Sequence, residues 1–155
     1  MRAWRISKAS RAHDLSGKGA AIEGGRWNDA EVPAVYLGLS PSTCCLETFV
    51  HQTRRPEIPM KITVLELPDR PDLYLEPALN LLPAGWASLP ADRPSMGYGT
   101  AWLARNEQLG LIVPSAVMPL DRNIMLNPRH PAIAEVRIID VLDFAYDQRL
   151  FSVRP

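Results

Sequence analysis

The chain has 155 residues, with 17 basic and 17 acidic side chains and a formal net charge of zero. Its 46% hydrophobic and 22% charged content is that of an ordinary globular protein, long enough to bury one core. The balanced charge offers no basic field for nucleic acid or a membrane surface, so the expected partners are small molecules or another protein.

Ala3–Ser7 reads as a first strand, and a polar, glycine-rich connection without a period follows from Ser10 to Gly25. Within it, Gly17-Lys18-Gly19 lacks the spacing of a phosphate-binding P-loop. Gly24 and Gly25 lead into Arg26, Trp27 and Asn28, ahead of a short apolar strand at Ala34–Leu37 that carries Tyr36. Ser40-Pro41 is a helix start, with serine as N-cap and proline at the first helical position. That helix is expected to reach Gln52 and to bury Leu46, Phe49, Val50 and Thr53. Glu47 interrupts its apolar run CCLETF at the edge of the buried face, beside Cys44 and His51.

Met60–Leu67 alternates as a strand with Ile62, Val64 and Leu65 as its apolar positions. Leu73 to Pro94 is broken by Pro77, Pro83 and Pro90 and reads as loop with short turns. Ser95–Leu109 reads as a second helix stopped by Gly110. Leu111–Val113 and Ser115–Met118 flank Pro114 as strand pieces, and Ala134–Phe144 contains the strand EVRIIDVLDF. Short strands and two helices, without repeat or linker, predict one α+β domain over residues 1–155.

Cys44 and Cys45 are adjacent, which disfavours a mutual disulfide, and neither has metal-ligand spacing to His13, His51 or His130. They are expected to be buried thiols of a reducing cytoplasm. The opening MRAWRISKAS has no signal-peptide apolar run, and no stretch of about 18 apolar residues exists for a membrane span. A cytoplasmic protein is therefore expected.

Four side chains bear chemistry, each with a plainer alternative. Arg26 after paired glycines can bring a planar fork to a phosphate, or be a solvated turn residue. Glu47 among apolar neighbours is either a functional carboxylate or one half of an interhelical ion pair. Tyr36, facing opposite Val35 and Leu37, is by default a core aromatic. Ser115, between apolar triplets, can satisfy a backbone group. It has no G-x-S-x-G setting, so a serine hydrolase is unsupported.

In combination these segments resemble a known family. WRI at Trp4–Ile6, SGKGA, GGRWN, VYLG, LE on a helix, IVPSAV (Ile112–Val117) and NIMLNPRHP (Asn123–Pro131) follow the order of the RES domain across nearly the whole chain. That family is named for arginine, glutamate and serine and includes the toxins of bacterial toxin–antitoxin pairs. The resemblance implies a compact fold related to ADP-ribosyltransferases and an enzyme that consumes NAD as substrate, with no other cofactor and no metal. The bond to nicotinamide would be cleaved by water or phosphate, or ADP-ribose transferred to a protein. It also implies a cognate Xre-like antitoxin as partner, through which any contact with nucleic acid would be made. The matching positions are Arg26, Tyr36, Glu47 and Ser115, with Arg5 a weaker match. Catalysis would fall to Glu47, Arg26 and Tyr36, and substrate binding to Arg26, Tyr36, Ser115 and Arg5. Trp4 stands where the family usually has tyrosine or phenylalanine. The alternative from another class is a non-catalytic module whose pocket binds a nucleotide or a partner.

Overall fold

A computed structural model describes residues 1–152. The chain runs through β1 (Arg2–Lys8), α1 (Lys18–Ala21), β2 (Val35–Gly38), α2 (Pro41–Phe49), β3 (Met60–Glu66) and β4 (Tyr74–Leu75). It continues through α3 (Arg93–Arg105), β5 (Gly110–Pro114), β6 (Arg122–Leu126) and β7 (Arg137–Phe144), with short 3-10 turns between elements. All the strands join one seven-stranded sheet in the order β4-β5-β6-β2-β1-β3-β7. The pairings are antiparallel except that of β4 with β5. This is the α+β architecture expected from the sequence. Among the described residues, no helix is long and apolar enough to cross a membrane.

Alternate residues of the central strands feed two apolar clusters, as the period of a pleated strand requires. Val35, Leu37, Ile124 and Leu126 join Ala3, Leu65 and Leu67 in one. Ala34, Met125, Leu111 and Val113 join Trp27, Trp102 and Leu103 in the other, where α3 packs. Strand β6 was not expected from the sequence. Its Ile124, Met125 and Leu126 are all fully buried, so both faces are covered and no alternation marks it as a strand.

Other details depart from the sequence expectation for local reasons. In β3 the fully buried positions are Thr63 and Leu65 rather than Ile62 and Val64. The Thr63 hydroxyl is satisfied by donating to the Ala12 carbonyl at 3.0 Å. Helix α2 ends at Phe49 and buries Thr43 and Cys44, while Val50 is exposed. It lies tightly against β2, where a Cβ on Gly38 would come within 2.8 Å of the Cys44 Cβ. That contact, one turn before Glu47, sets the helix rotation. Helix α3 ends on Asn106 in the left-handed conformation, four residues before the expected stop at Gly110, which instead opens β5. Ser115–Met118 is a turn and not a strand piece, because the Ser115 hydroxyl accepts from the Val117 and Met118 amides.

Candidate active site

The stretch after the paired glycines is built onto the sheet. Gly24 has φ +80°, and a Cβ on Gly25 would lie 2.9 Å from the Tyr36 Oη. A side chain at either position would strain the turn or push it off β2. The Tyr36 hydroxyl donates to Asn28 Oδ1 at 2.7 Å and accepts from the Trp27 amide at 2.9 Å. Burial raises its pKa far above the ordinary phenol value, so it stays a neutral donor. Buried Asn28 donates through Nδ2 to the Ala20, Asp29 and Val32 carbonyls. On the far side, Gly99 of α3 lets the Trp27 carbonyl approach, because a Cβ there would sit 1.9 Å from that oxygen.

Arg26 leaves this locked turn and meets the loop before α3. Its Nη1 donates to the Trp86 and Ser88 carbonyls, each at 2.9 Å. Nε and Nη2 have no hydrogen-bond partner among the described residues. Trp86 also stacks on Trp27, with ring centroids 6.0 Å apart and planes inclined by 19°.

Glu47 is held from two other elements. Its Oε1 accepts from Ser115 Oγ at 2.7 Å and from Asn123 Nδ2 at 2.6 Å. Oε2 has no hydrogen-bond partner among the described residues. Ser115 is fully buried and lies behind the carboxylate. Its amide donates to the Asp121 carbonyl at 3.0 Å. The Asp121 carboxylate in turn accepts from the hydroxyls of Ser40 and Thr43 at the start of α2. Those bonds, that from Thr43 foremost, hold the Asp121 carboxyl below the usual carboxylate range. The turn after β5 is thus fastened to α2 at its first turn and again at Glu47.

Both groups face one cavity of ≈ 890 Å³, whose walls include Arg5, Arg26, Tyr36, Gly38, Glu47 and Asn123. That volume is in the range of small-molecule sites, roughly 300–1,000 Å³. Of the residues singled out in the sequence, Arg26, Tyr36, Glu47 and Arg5 reach this wall, and Ser115 does not. The donors of Arg5 are turned to its own chain: Nη1 to the Asp14 carbonyl at 2.5 Å, Nη2 to those of Arg11 at 2.7 Å and Ala12 at 3.1 Å. Its Nε is buried without a partner. Burial first of all lowers the Arg5 pKa, against the nearby Asp14 charge. Cys44 is buried, and burial pushes its thiol up to about 11; Cys45 is half-buried and is raised for the same reason. Both thiols stay protonated at neutral pH, as packing residues do.

Asn123 and Asp121 escaped the sequence reading. Asn123 opens the segment NIMLNPRHP, and a lone amide ahead of an apolar run was its only signal. Chemically, the cavity offers a fixed carboxylate to a developing cation and a partly free guanidinium to an anion.

Comparison with known proteins follows the same lines. The RES domain family model matches residues 2–147. The chain is 37% identical over 153 residues to "Prs ADP-ribosylating toxin" of Sphingobium sp. (strain YBL2), covering 95% of this chain and 94% of that one. It is 39% identical over 151 residues to "Toxin Res" of Pseudomonas putida, covering 96% and 98%. Among solved structures it is similar to a chain of the M. tuberculosis MbcT–MbcA toxin–antitoxin complex, with a TM-score of 0.72 over 92% of this chain and 83% of that one. The 20% identity of that pair shows the fold alone. With its model matched almost end to end and relatives this similar over nearly their full lengths, the chain belongs to the RES domain family.

Proposed function

We propose that this protein is the toxin of a toxin–antitoxin pair and that it acts by cleaving the nicotinamide–ribose bond of NAD. The observation that supports this most is the Glu47 carboxylate, clamped through Oε1 on the wall of the cavity that Arg26 also lines. Breaking the bond sends its electron pair to the pyridinium nitrogen, and nicotinamide leaves neutral. Positive charge then builds on the ribose, as in the oxocarbenium-like transition state of glycosidases. Glu47 stabilises that charge through the oxygen Ser115 and Asn123 leave free. Arg26 grips one phosphate of the pyrophosphate with its free nitrogens, and Tyr36 holds the turn that presents it. Ser115 and Asn123 are positioning residues acting through Glu47. An acceptor oxygen attacks the cationic carbon and loses its proton to solvent.

Water, phosphate and a protein side chain can each supply that oxygen. Transfer of ADP-ribose to a protein is the second reading, favoured by the name of the Sphingobium relative. The expected partner is a small helix-rich antitoxin of Xre-like type covering the cavity mouth, as the toxin–antitoxin pairing of the structural neighbour suggests. The test is incubation of the purified protein with NAD, with and without orthophosphate and with bacterial proteins. Nicotinamide release with free ADP-ribose, its 1-phosphate or a labelled protein identifies the acceptor. NAD left intact in all three, with Glu47→Gln indistinguishable from the unaltered protein, overturns the proposal in favour of a non-catalytic module.

A further inference from the structure

The segment SGKGA and the arginine before it are not used by the chemistry above. Arg11 closes a 3-10 turn after β1 and is exposed. Its guanidinium makes no hydrogen bond or ion pair among the described residues. It nevertheless has a definite place, lying over Gly19 of α1: a Cβ on Gly19 would be 2.9 Å from Arg11 Nη1. The backbone beneath is also fixed. Gly17 has φ +73°, and a Cβ there would come within 2.6 Å of the Ala34 amide nitrogen. The Arg11 carbonyl is held by Arg5 Nη2 at 2.7 Å. Arg11, Gly17 and Gly19 all line the cavity of Arg26 and Glu47. The carboxylate on the same wall, Asp14, accepts from the Ser16 amide at 2.8 Å and lies in the fields of both Arg5 and Arg11, without a hydrogen bond to the Arg11 guanidinium among the described residues.

We infer that Arg11 forms a second anion subsite of this cavity, taking a phosphate group separate from the one held by Arg26. An unpaired guanidinium on a cavity wall keeps its whole donor fork for a ligand. Glycine at position 19 leaves it the space to lie there. Two phosphate-bearing ligands fit that chemistry: the second phosphate of a dinucleotide, or free orthophosphate acting as acceptor. Only the naming of those ligands rests on the reading of the site as an NAD-cleaving one. The subsite itself is testable without turnover.

The experiment is calorimetric titration of the full chain with ADP and, separately, with orthophosphate, using Arg11→Ala, Arg11→Lys and Gly19→Ala. Losing an exposed charge-assisted contact is expected to weaken one of these probes by about five- to tenfold. Thermal stability should be unchanged, since Arg11 holds nothing else in place. Arg11→Lys should restore only part of the affinity, and the dependence on salt should become shallower in Arg11→Ala. Gly19→Ala keeps the charge but displaces the guanidinium, so it should fall between the unaltered protein and Arg11→Ala. Loss confined to ADP assigns the dinucleotide phosphate, and loss confined to orthophosphate assigns the acceptor. Arg11→Ala binding both probes as the unaltered protein does overturns the inference. Weakened binding by a protein that leaves NAD intact would sustain the subsite and remove the NAD reading instead.

Discussion

The two sides of the cavity are held in different ways. Glu47 is fixed by side chains: a buried serine behind it, an asparagine on β6, and an aspartate that pins the same turn to the start of α2. Arg26 is fixed by backbone carbonyls of a loop and, among the described residues, through one nitrogen alone. The carboxylate cannot turn without unmaking bonds from two elements, whereas the arginine can exchange loop carbonyls for a ligand. Preorganisation matters most where charge develops in the transition state, and a group that only binds can tolerate rearrangement. The difference fits the proposed division between a carboxylate that acts on the transition state and an arginine that binds.

The strongest way to break that comparison is to remove the charge on the rigid side. Glu47→Gln keeps the shape but not the negative charge, so turnover should fall by about a hundred- to a thousandfold with NAD binding little changed. Single-turnover rates beside calorimetric titration read the two effects apart. Near-normal turnover would end the assignment of Glu47. On the loop side, Arg26→Ala should weaken NAD binding by about thirty- to a hundredfold, or about 2–3 kcal/mol, with Lys a poor rescue. The same change frees the Trp86 and Ser88 carbonyls, so tryptophan fluorescence should shift as the Trp86–Trp27 stack loosens.

A smaller effect tests whether the clamp works through orientation. Ser115→Ala should lower turnover by about tenfold with KM unchanged and cost about 1–3 kcal/mol of stability, because the Val117 and Met118 amides lose their acceptor. Stability loss with full turnover would make Ser115 a structural residue only. The smallest effect concerns Asp121, whose folded-state pKa lies below its unfolded one. Its contribution is therefore present above the unfolded value of about 3.9 and is lost as pH falls through the folded one. Thermal unfolding followed from pH 6 downward should show a steeper acid limb in the unaltered protein than in Asp121→Asn.

Much of the outline was legible in the residues. Ser40-Pro41 announced the start of α2, and the strands at β1, β3 and β7 stood in their apolar patterns. Glu47 and Arg26 stood out because a carboxylate in an apolar run and an arginine after two glycines conflict with their surroundings. What stayed hidden depends on contacts distant in sequence. β6 carries no alternation because it is buried on both faces, and α2 is rotated by its contact with Gly38, so no period along the chain could report either one.

The sequence by itself determined the class of fold, the segments β1, β2, α2, β3 and β7 and the charged residue types, because propensity, capping and hydrophobic period act over a few neighbouring positions. The tertiary structure decided their contacts. Ser115 is 68 positions from Glu47 and Asn123 is 76, and Arg26 meets carbonyls 60 and 62 positions away. Whether a serine faces a ligand or the back of a carboxylate is set by how a turn, a helix and a strand pack together. The burial of those elements, and not the order of the residues, assigned Ser115 to Glu47.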